Sequence, residues 1–293
     1  MRYSITLVVM LAVAVFGVPV ADAAKVPDAI AAAVADTNRP DSDKQRDASR
    51  KPAETLAFAG VRPGDRVAEL MPGGGYFTRL LSKVVGSGGH VYALVPAPLG
   101  VPPGRPDGPP PGGPDAPPPG RPDAPPPGGP NAPPSDRPGP PQGRPDMAAR
   151  VRAIAADPNY ANVSVATGSF TELKTPEPVD LVWTSQNYHD LHNLPGLDVG
   201  ASNRAIFDAL KPGGIYVVLD HAAEPGSGLR DTGTLHRIDE QTVKKEVLAA
   251  GFVFVARSDL LHNPGDAHTA KVIDPSIRGN TDQFILKFRK PGK

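Results

Sequence analysis

Short apolar runs recur along the chain, and most are bounded by glycine, proline or polar turn residues. Such runs of about four to eight residues are typical of buried β-strands. The pattern predicts seven strands, at residues 66–70, 90–95, 163–167, 180–184, 215–220, 252–259 and 283–288. Amphipathic stretches between them predict helices at residues 76–85, 147–156, 203–210 and 239–250.

Strands that alternate with helices indicate a parallel sheet covered on both faces. The C-terminal part departs from this alternation, because no helix of useful length separates residues 252–259 from 283–288. Those two strands are expected to pair antiparallel through a long loop. The predicted fold class is α/β, a doubly wound, mostly parallel seven-stranded sheet with an antiparallel C-terminal strand and helices on both faces.

The first 23 residues form a segment of their own. Arg2 precedes an apolar core, and the small-x-small site Ala21-Asp22-Ala23 follows it, which is the layout of a cleavable secretory signal peptide. An uncleaved membrane anchor is the alternative, although the apolar core is shorter than the roughly 20 residues that a spanning helix needs. The sequence therefore predicts a periplasmic or secreted protein.

Two helical patterns, at residues 25–35 and 43–58, predict an N-terminal helical cap over residues 24–60. Pro40 and Pro52 act there as breaks or first-turn residues. The main domain is then expected to consist of residues 61–95 and 146–293.

Composition excludes several classes of protein. The chain has no cysteine, so it contains neither disulfides nor a lipid-modified cysteine. Lys plus Arg and Asp plus Glu both total 31, so the formal net charge is zero and gives no general attraction to nucleic acid or anionic lipid. No later segment is apolar enough to span a membrane, so stable membrane insertion after signal cleavage is not expected.

Residues 96–145 interrupt the domain with an eight-residue repeat of the form RPDAPPPG. This segment has almost no apolar side chains to bury, so a disordered Pro/Gly-rich insertion with polyproline II character is expected. The insertion is either a spacer or a ligand. As a ligand it would bind a partner that recognises proline-rich segments, or the cell envelope.

The stretch ELMPGGGYFT, residues 69–78, places three glycines where the first strand meets the first helix of the sheet. Such a turn exposes backbone amides at a helix N-terminus to an anionic ligand group. A dinucleotide fingerprint needs a third small residue where Thr78 stands, and a P-loop needs a lysine earlier than Lys83, so both are disfavoured. S-adenosylmethionine is the third class of ligand with this geometry: its carboxylate suits the amides, and Glu69 is placed for its ammonium or for a water bound to that ammonium.

Three segments resemble the class I, Rossmann-like methyltransferases that depend on S-adenosylmethionine, here of an exported type. VAELMPGGGYF resembles their cofactor turn, and residues 180–191 and 207–221 resemble the segments of their fourth and fifth strands. The resemblance implies cofactor contacts from Glu69, Met71, Gly73, Gly74 and Gly75, and Met71 departs from the family's first glycine.

The same resemblance places two further residues at the cofactor. Val95 stands where the family usually has an acidic residue for the ribose hydroxyls, and Ser169 stands where an acidic residue often contacts the adenine. Losing a charged acceptor would cost roughly 1.5 to 3 kcal/mol of binding.

The turn that follows the fourth strand carries the candidate catalytic residues. His189 is the predicted general base, Tyr188 and Asp190 are its orienting neighbours, and His221 ends the next strand near the same crevice. The acceptor, a small molecule or a protein, is not specified by the sequence.

Two alternatives to methyl transfer stay open. One is a non-catalytic binding protein that keeps the methyltransferase-like fold. The other is a metal-dependent enzyme whose ion is bound by His189, Asp190, His192 and His221.

Two loops are candidate substrate contacts. The polar loop 227–239 offers Arg230, Asp231, His236 and Arg237, and the long loop 261–281 is a candidate lid.

Overall fold

The structure is a computed structural model that describes residues 26–96 and 147–292. The predicted signal peptide and the predicted insertion, apart from Pro96, lie outside the described residues. Among the helices of the described part, none is both long and apolar enough to cross a bilayer.

The described chain alternates helices and strands in the order that the sequence pattern predicts. The helices are α1 Asp28–Val34, α2 Asp41–Lys44, α3 Asp47–Arg50, α4 Pro52–Ala59, α5 Tyr76–Val85, α6 Met147–Ala155, α7 Tyr188–Leu191, α8 Val199–Ala209 and α9 Glu240–Ala249. The strands are β1 Arg66–Leu70, β2 His90–Pro96, β3 Val163–Gly168, β4 Val179–Ser185, β5 Leu210–His221, β6 Val253–Ser258 and β7 Gln283–Arg289. Short 3-10 turns lie at Pro158–Tyr160 and Phe170–Glu172.

All seven strands form one sheet in the order β3-β2-β1-β4-β5-β7-β6. Neighbouring strands from β3 to β5 are parallel, and β7 runs antiparallel to both β5 and β6. This confirms the predicted fold class. The strand order reverses direction between β1 and β4, and open α/β sheets bind ligands beyond the carboxyl ends of the strands at such a point.

Alternate residues of each strand pack into two apolar layers, one on each face of the sheet. On one face, Val67 and Trp183 pack with side chains of α1, α4, α5 and α6, such as Leu80. On the other face, Ala68 and Val182 pack with side chains of α8 and α9. Burying both faces fixes the register of β1 and β4, whose carboxyl ends carry the site described below.

Several boundaries differ from the prediction. The segment predicted as one helix at 43–58 is divided among three short helices, α2, α3 and α4. The break between α3 and α4 occurs because Lys51 adopts a left-handed φ of 41° and Pro52 starts a new helix. Helix α8 begins four residues earlier than predicted, since the side chain of Asp198 accepts a hydrogen bond from the N–H of Ala201 and caps it. Strand β5 begins at Leu210, which pairs with Val179 across a bulge.

Candidate functional site

A cavity of about 260 Å³ lies beyond the carboxyl ends of β1 and β4. Three parts of the chain line it: the turn from β1 to α5, the end of β4 with residues 185–187 and Asp190, and the N-terminal arginines Arg46 and Arg50. The cavity therefore lies at the switch point of the sheet, and helix α3 with its N-cap residue Arg46 brings two arginines to it from elsewhere in the chain.

The glycine turn depends on left-handed backbone. Gly73 has φ 58° and Gly75 has φ 77°, which glycine adopts without the steric cost that a Cβ brings. Met71 has φ 46°, so the position where the resembling family has its first glycine is also left-handed in this chain. A Cβ on Gly75 would also collide with Cδ1 of Ile154, so helix α6 packs directly against the turn.

The turn leaves peptide groups available for a ligand. The N–H of Gly75 bonds to the carbonyl of Pro72, 2.9 Å away, but no hydrogen bond within the described residues uses the N–H of Gly73 or Gly74. Both of these glycines line the cavity, directly before α5. An anionic group placed there gains two donors and the favourable end of the helix dipole.

Glu69 is a buried acid at the wall of this cavity. Its side chain accepts a hydrogen bond of 2.6 Å from the hydroxyl of Thr78, and the residue is only 3% exposed. Burial raises the pKa of Glu69 from 4.5 to about 7, against the opposing effects of the Thr78 hydrogen bond and the charges of Arg50 and Arg79. A cation bound next to Glu69 would stabilise its ionised form.

Arg50 is a partly buried base that lines the same cavity. Its guanidinium lies 4.7 Å from the centre of the Tyr76 ring, and Nη2 donates to Oε1 of Gln186 at 2.6 Å. Burial, together with the neighbouring charge of Arg46, lowers the pKa of Arg50 from 12.5 to about 10. Arg50 forms no ion pair with any residue of 26–96 or 147–292, so an anionic ligand group would be its natural partner.

Asn187 joins the two strand ends that frame the cavity. Its amide nitrogen donates to the carbonyls of Leu70 and Met71, at 3.0 and 2.9 Å, and its side-chain oxygen accepts from Thr184. The preceding residue, Gln186, has a left-handed φ of 60° and turns its side chain to Arg50. These contacts hold the end of β4 against the glycine turn.

A second polar cluster begins at His189, next to the cavity. Nδ1 of His189 lies 2.8 Å from Oδ1 of Asp220 at the end of β5, and the backbone N–H of His189 donates to the other carboxylate oxygen. Burial lowers the pKa of His189, but the charge of Asp220 and this hydrogen bond outweigh burial and raise it above 6.5. Burial raises the pKa of Asp220, and the charge of His189 reverses that effect and lowers it below 3.8.

The free edge of His189 faces two partly exposed groups. Nε2 of His189 lies 3.4 Å from Oδ1 of Asp190, and Nδ1 of His236 lies 3.5 Å from the same oxygen. The two imidazole rings meet edge to face with their centres 5.4 Å apart. His236 has a left-handed φ of 57°, which a non-glycine residue adopts at some energetic cost.

The cavity brings together some of the residues named from the sequence. Glu69, Met71, Gly73, Gly74 and Asp190 all line it. Gly75 caps helix α5 immediately behind them.

Other residues named from the sequence lie apart from the cavity. Val95 is buried in β2 and Ser169 caps the 3-10 turn at Phe170, so neither lines it. The hydroxyl of Tyr188 accepts from Asn203 and donates to Glu246, which directs it towards helices α8 and α9. The contacts of Tyr188 therefore do not orient His189.

Two of the four proposed metal ligands also turn elsewhere. His192 Nε2 lies 3.2 Å from a carboxylate oxygen of Glu246. Nδ1 of His221 lies 2.8 Å from the hydroxyl of Thr281, and burial lowers the pKa of His221 to about 4. The described residues with metal-ligand geometry are instead His189, Asp190 and His236.

The two candidate substrate loops are tied to each other. Arg237 is fully buried and bonds to Asp266 and to the carbonyls of Ala222 and Ala270, so its guanidinium is occupied within the protein. Asp266 also accepts from the N–H of Asp282, 2.7 Å away. Loop 261–281 is thus anchored at a buried ion pair and not only at its ends.

Sequence reasoning missed the cavity residues Arg46, Arg50, Gln186 and Asn187, and the partner residues Thr78 and Asp220. Asp220 and Asn187 belong to the segments of the fifth and fourth predicted strands. Their location at the carboxyl end of a strand is the signal that could have identified them. Arg46 and Arg50 carry no local signal, because about 20 residues and a strand separate them from the glycine turn.

No protein-family model and no curated protein matches this sequence. Solved structures do match. One belongs to the complex between the Haloferax volcanii Trm112 methyltransferase activator and the putative methyltransferase, with TM-score 0.51 and 16% identity over 90% of this chain and 98% of that chain. Another is the [4+2]-cyclase SpnF, with TM-score 0.51 and 14% identity over 86% of this chain and 82% of that chain.

A methyltransferase from Aquifex aeolicus that depends on S-adenosylmethionine (SAM) is also similar, with 16% identity over 86% of this chain and 98% of that chain and a TM-score of 0.49. The chain has a Rossmann-like methyltransferase fold. At these identities the likeness concerns the fold, and the reaction has to be argued from the residues of the site.

Proposed function

We propose that the protein is a methyltransferase that binds S-adenosylmethionine in the cavity at the ends of β1 and β4. The observation that carries this proposal is that one cavity holds groups of opposite charge: the buried acid Glu69, and the partly buried Arg50 together with N–H groups of Gly73 and Gly74 that no described residue uses. This arrangement complements a zwitterionic amino acid, with the ammonium at Glu69 and the carboxylate at Arg50 and the turn.

The size of the cavity fits part of that ligand. Pockets that enclose drug-sized ligands measure roughly 300 to 1,000 Å³, and this one measures about 260 Å³. The amino-acid half and the sulfonium centre fit within it. The nucleoside half would extend past β2, where Val95 offers no polar group to a ribose.

The residues of the chain would act chiefly by positioning. Bound S-adenosylmethionine would supply an electrophilic methyl group, and transfer to an acceptor is an in-line displacement in which alignment provides most of the rate. Asn187 and Gln186 hold the strand end that faces the donor site. Where the acceptor carries a proton, His189 would take it at Nε2, since Nδ1 is held by Asp220.

A calorimetric comparison of two ligands tests this proposal. S-adenosylhomocysteine carries the amino-acid half and 5′-methylthioadenosine lacks it, so the first should bind at least tenfold more tightly. Arg50→Gln should remove most of that difference, because a charge-assisted hydrogen bond contributes roughly 1.5 to 3 kcal/mol. Arg204→Gln, an exposed change on helix α8, is the matched control. Equal affinity of both ligands, or no heat at millimolar concentration, would refute the proposal.

The pH dependence of binding adds an independent readout. An ammonium next to Glu69 favours the carboxylate, so affinity should rise as the pH increases through about 7, the pKa of Glu69 in the free protein. Glu69→Gln should bind more weakly and lose this dependence.

A non-catalytic binding protein with the same fold is the second candidate. One observation favours it: the apolar Val95 at the expected ribose position, which offers the cofactor no polar group. Tight binding of S-adenosylhomocysteine without methyl transfer to any acceptor would support this candidate.

We also propose that the chain is exported, on the pattern of residues 1–23. Expression in a bacterium that secretes to a periplasm should yield a mature protein that begins at Ala24. N-terminal sequencing of the periplasmic fraction reads this directly, and an intact Met1 in the cytoplasmic fraction alone would contradict it.

A further inference from the structure

The polar cluster beside the cavity has the geometry of a metal site. His189, Asp190 and His236 each offer one ligand atom, and these three atoms all lie within 4.8 Å of one another. Two ligand atoms at about 2.0 to 2.1 Å from a tetrahedral ion are roughly 3.4 Å apart. The distances from Oδ1 of Asp190 to Nε2 of His189 and to Nδ1 of His236 are 3.4 and 3.5 Å.

The protonation of His189 is arranged for a ligand role. Asp220 is buried and already accepts from two backbone N–H groups, those of His189 and His221, so it acts as an acceptor towards Nδ1. The proton of the neutral ring therefore sits on Nδ1, and Nε2 presents its lone pair to Asp190. Metal-bound histidines commonly have such a carboxylate partner on the other nitrogen.

Among the residues that the structure describes, Nε2 of His189 has no hydrogen-bond partner. His189 is 2% exposed, and its Nδ1 is held by Asp220. Within the described residues, the one ion pair that Nε2 forms is with Asp190. The backbone of His236 is held in a left-handed conformation that presents its ring to the same place. Nε2 therefore offers an oriented lone pair that no described residue uses, and an ion would take it.

We propose that His189, Asp190 and His236 bind one divalent transition-metal ion of the zinc type, with Asp220 as the buried carboxylate that orients His189. Two imidazoles and one carboxylate favour zinc over magnesium or calcium. Three protein ligands leave a fourth position open, as in catalytic zinc sites.

The ion would lie at the border of the cavity, because Asp190 belongs to both the cluster and the cavity wall. An acceptor oxygen or nitrogen in the open position would lose its proton more readily, so the ion would replace His189 as the group that activates the acceptor. That role rests on the proposed methyl transfer, whereas the binding of the ion does not.

The test uses the full-length chain, stripped with a chelator and titrated with zinc alone in competition with a chromophoric chelator. One ion per chain is expected. His236→Asn should weaken zinc binding at least tenfold, and asparagine suits this variant because it tolerates a left-handed backbone. Asp190→Asn should also weaken binding.

His262→Asn is the matched control, because His262 is a half-exposed histidine that pairs with Asp282 outside the cluster. It should leave zinc affinity unchanged. Circular dichroism of each variant checks that the fold persists. Zinc binding that is absent, or that is equally tight in wild type, His236→Asn and Asp190→Asn, would overturn the proposed site.

Calorimetry with S-adenosylhomocysteine on the zinc-free protein keeps the two proposals apart. Ligand binding without zinc binding would refute only the metal site. Zinc binding without ligand binding would refute only the cofactor cavity.

Discussion

His189 and Asp220 form a buried pair, with Nδ1 of His189 2.8 Å from Oδ1 of Asp220, although 31 positions separate them in the chain. His189 follows β4 and Asp220 lies near the end of β5, and the carboxyl ends of these adjacent parallel strands meet at the same edge of the sheet. This pair connects the turn that carries the candidate catalytic histidine to the strand beside it.

Asp220→Asn should destabilise the protein by about 3 kcal/mol. Removing the charge of one partner in a buried ion pair leaves the charge of the other partner buried without an opposite charge. Such changes typically cost about 3 to 5 kcal/mol. Urea unfolding followed by circular dichroism measures the difference. Asp208→Asn, on the exposed face of α8, should change stability by no more than about 0.5 kcal/mol. A loss below about 1 kcal/mol for Asp220→Asn would contradict the assigned role.

Stability should fall as the pH rises from 4.5 to about 7, because of Glu69. The folded-state pKa of Glu69 is about 7 and its ordinary value is 4.5. Within this window the folded protein holds a proton that the unfolded chain has released, so each rise in pH favours unfolding. The full effect is on the order of 3 kcal/mol.

Urea unfolding of wild type and Glu69→Gln at several pH values measures this effect. The amide carries no titrating proton, so the difference in free energy of unfolding between the two proteins should change across the window and level off above about pH 8. A constant difference would show that Glu69 titrates normally.

Gly75→Ala should destabilise the protein more than Gly73→Ala. Both positions have left-handed backbone, where a Cβ costs roughly 1 to 2 kcal/mol. A Cβ added at position 75 would meet the side chain of Ile154, whereas a Cβ added at position 73 would point into open space. The clash at Gly75 is with the end of a side chain that can rotate, so it should add only about 1 kcal/mol. Thermal unfolding of both variants measures the contrast, and Gly75→Ala in an Ile154→Val background should recover part of the loss.

Arg237→Met should loosen loop 261–281. The change leaves Asp266 buried without its charge partner, which typically costs about 3 to 5 kcal/mol. Limited proteolysis should show faster cleavage within the loop in this variant. Arg257→Met breaks partly exposed ion pairs with Glu240 and Asp259 and should cost only about 0.2 to 1 kcal/mol. Equal losses in the two variants would contradict the anchoring role of Arg237.

Deletion of residues 102–141 should leave the melting temperature unchanged. The repeat in this segment has almost no apolar side chains to contribute to a core. Differential scanning calorimetry of the full and shortened chains measures the change. A marked drop in melting temperature would show that the segment packs against the domain.

The sequence predicted the strands well because each strand is a local signal. Apolar runs between turn residues located all seven strands, and the missing helix before β7 predicted its reversed direction. The start of β5 was less predictable, because Leu210 joins the sheet through a bulge opposite Val179, and such pairing depends on a distant segment.

The site was only partly predictable for the same reason. Glu69, Gly73 and Gly74 lie within one motif, and the structure places them at the cavity. Arg50 reaches them from helix α3, and His236 reaches Asp190 from a loop more than 40 residues further along the chain. Nothing local to Arg50 or His236 distinguishes them from solvated residues.

Two features of this protein follow from the sequence by itself: the positions of its strands along the chain with the antiparallel direction of the last one, and the glycine turn that opens a helix N-terminus to a ligand. Both depend on backbone preferences and apolar spacing, which act over a few residues. The tertiary structure alone decided that Arg50 and Glu69 line one cavity, and that His236 and Asp220 lie on opposite sides of His189. Those contacts join distant parts of the chain, so they exist only once both faces of the sheet are packed.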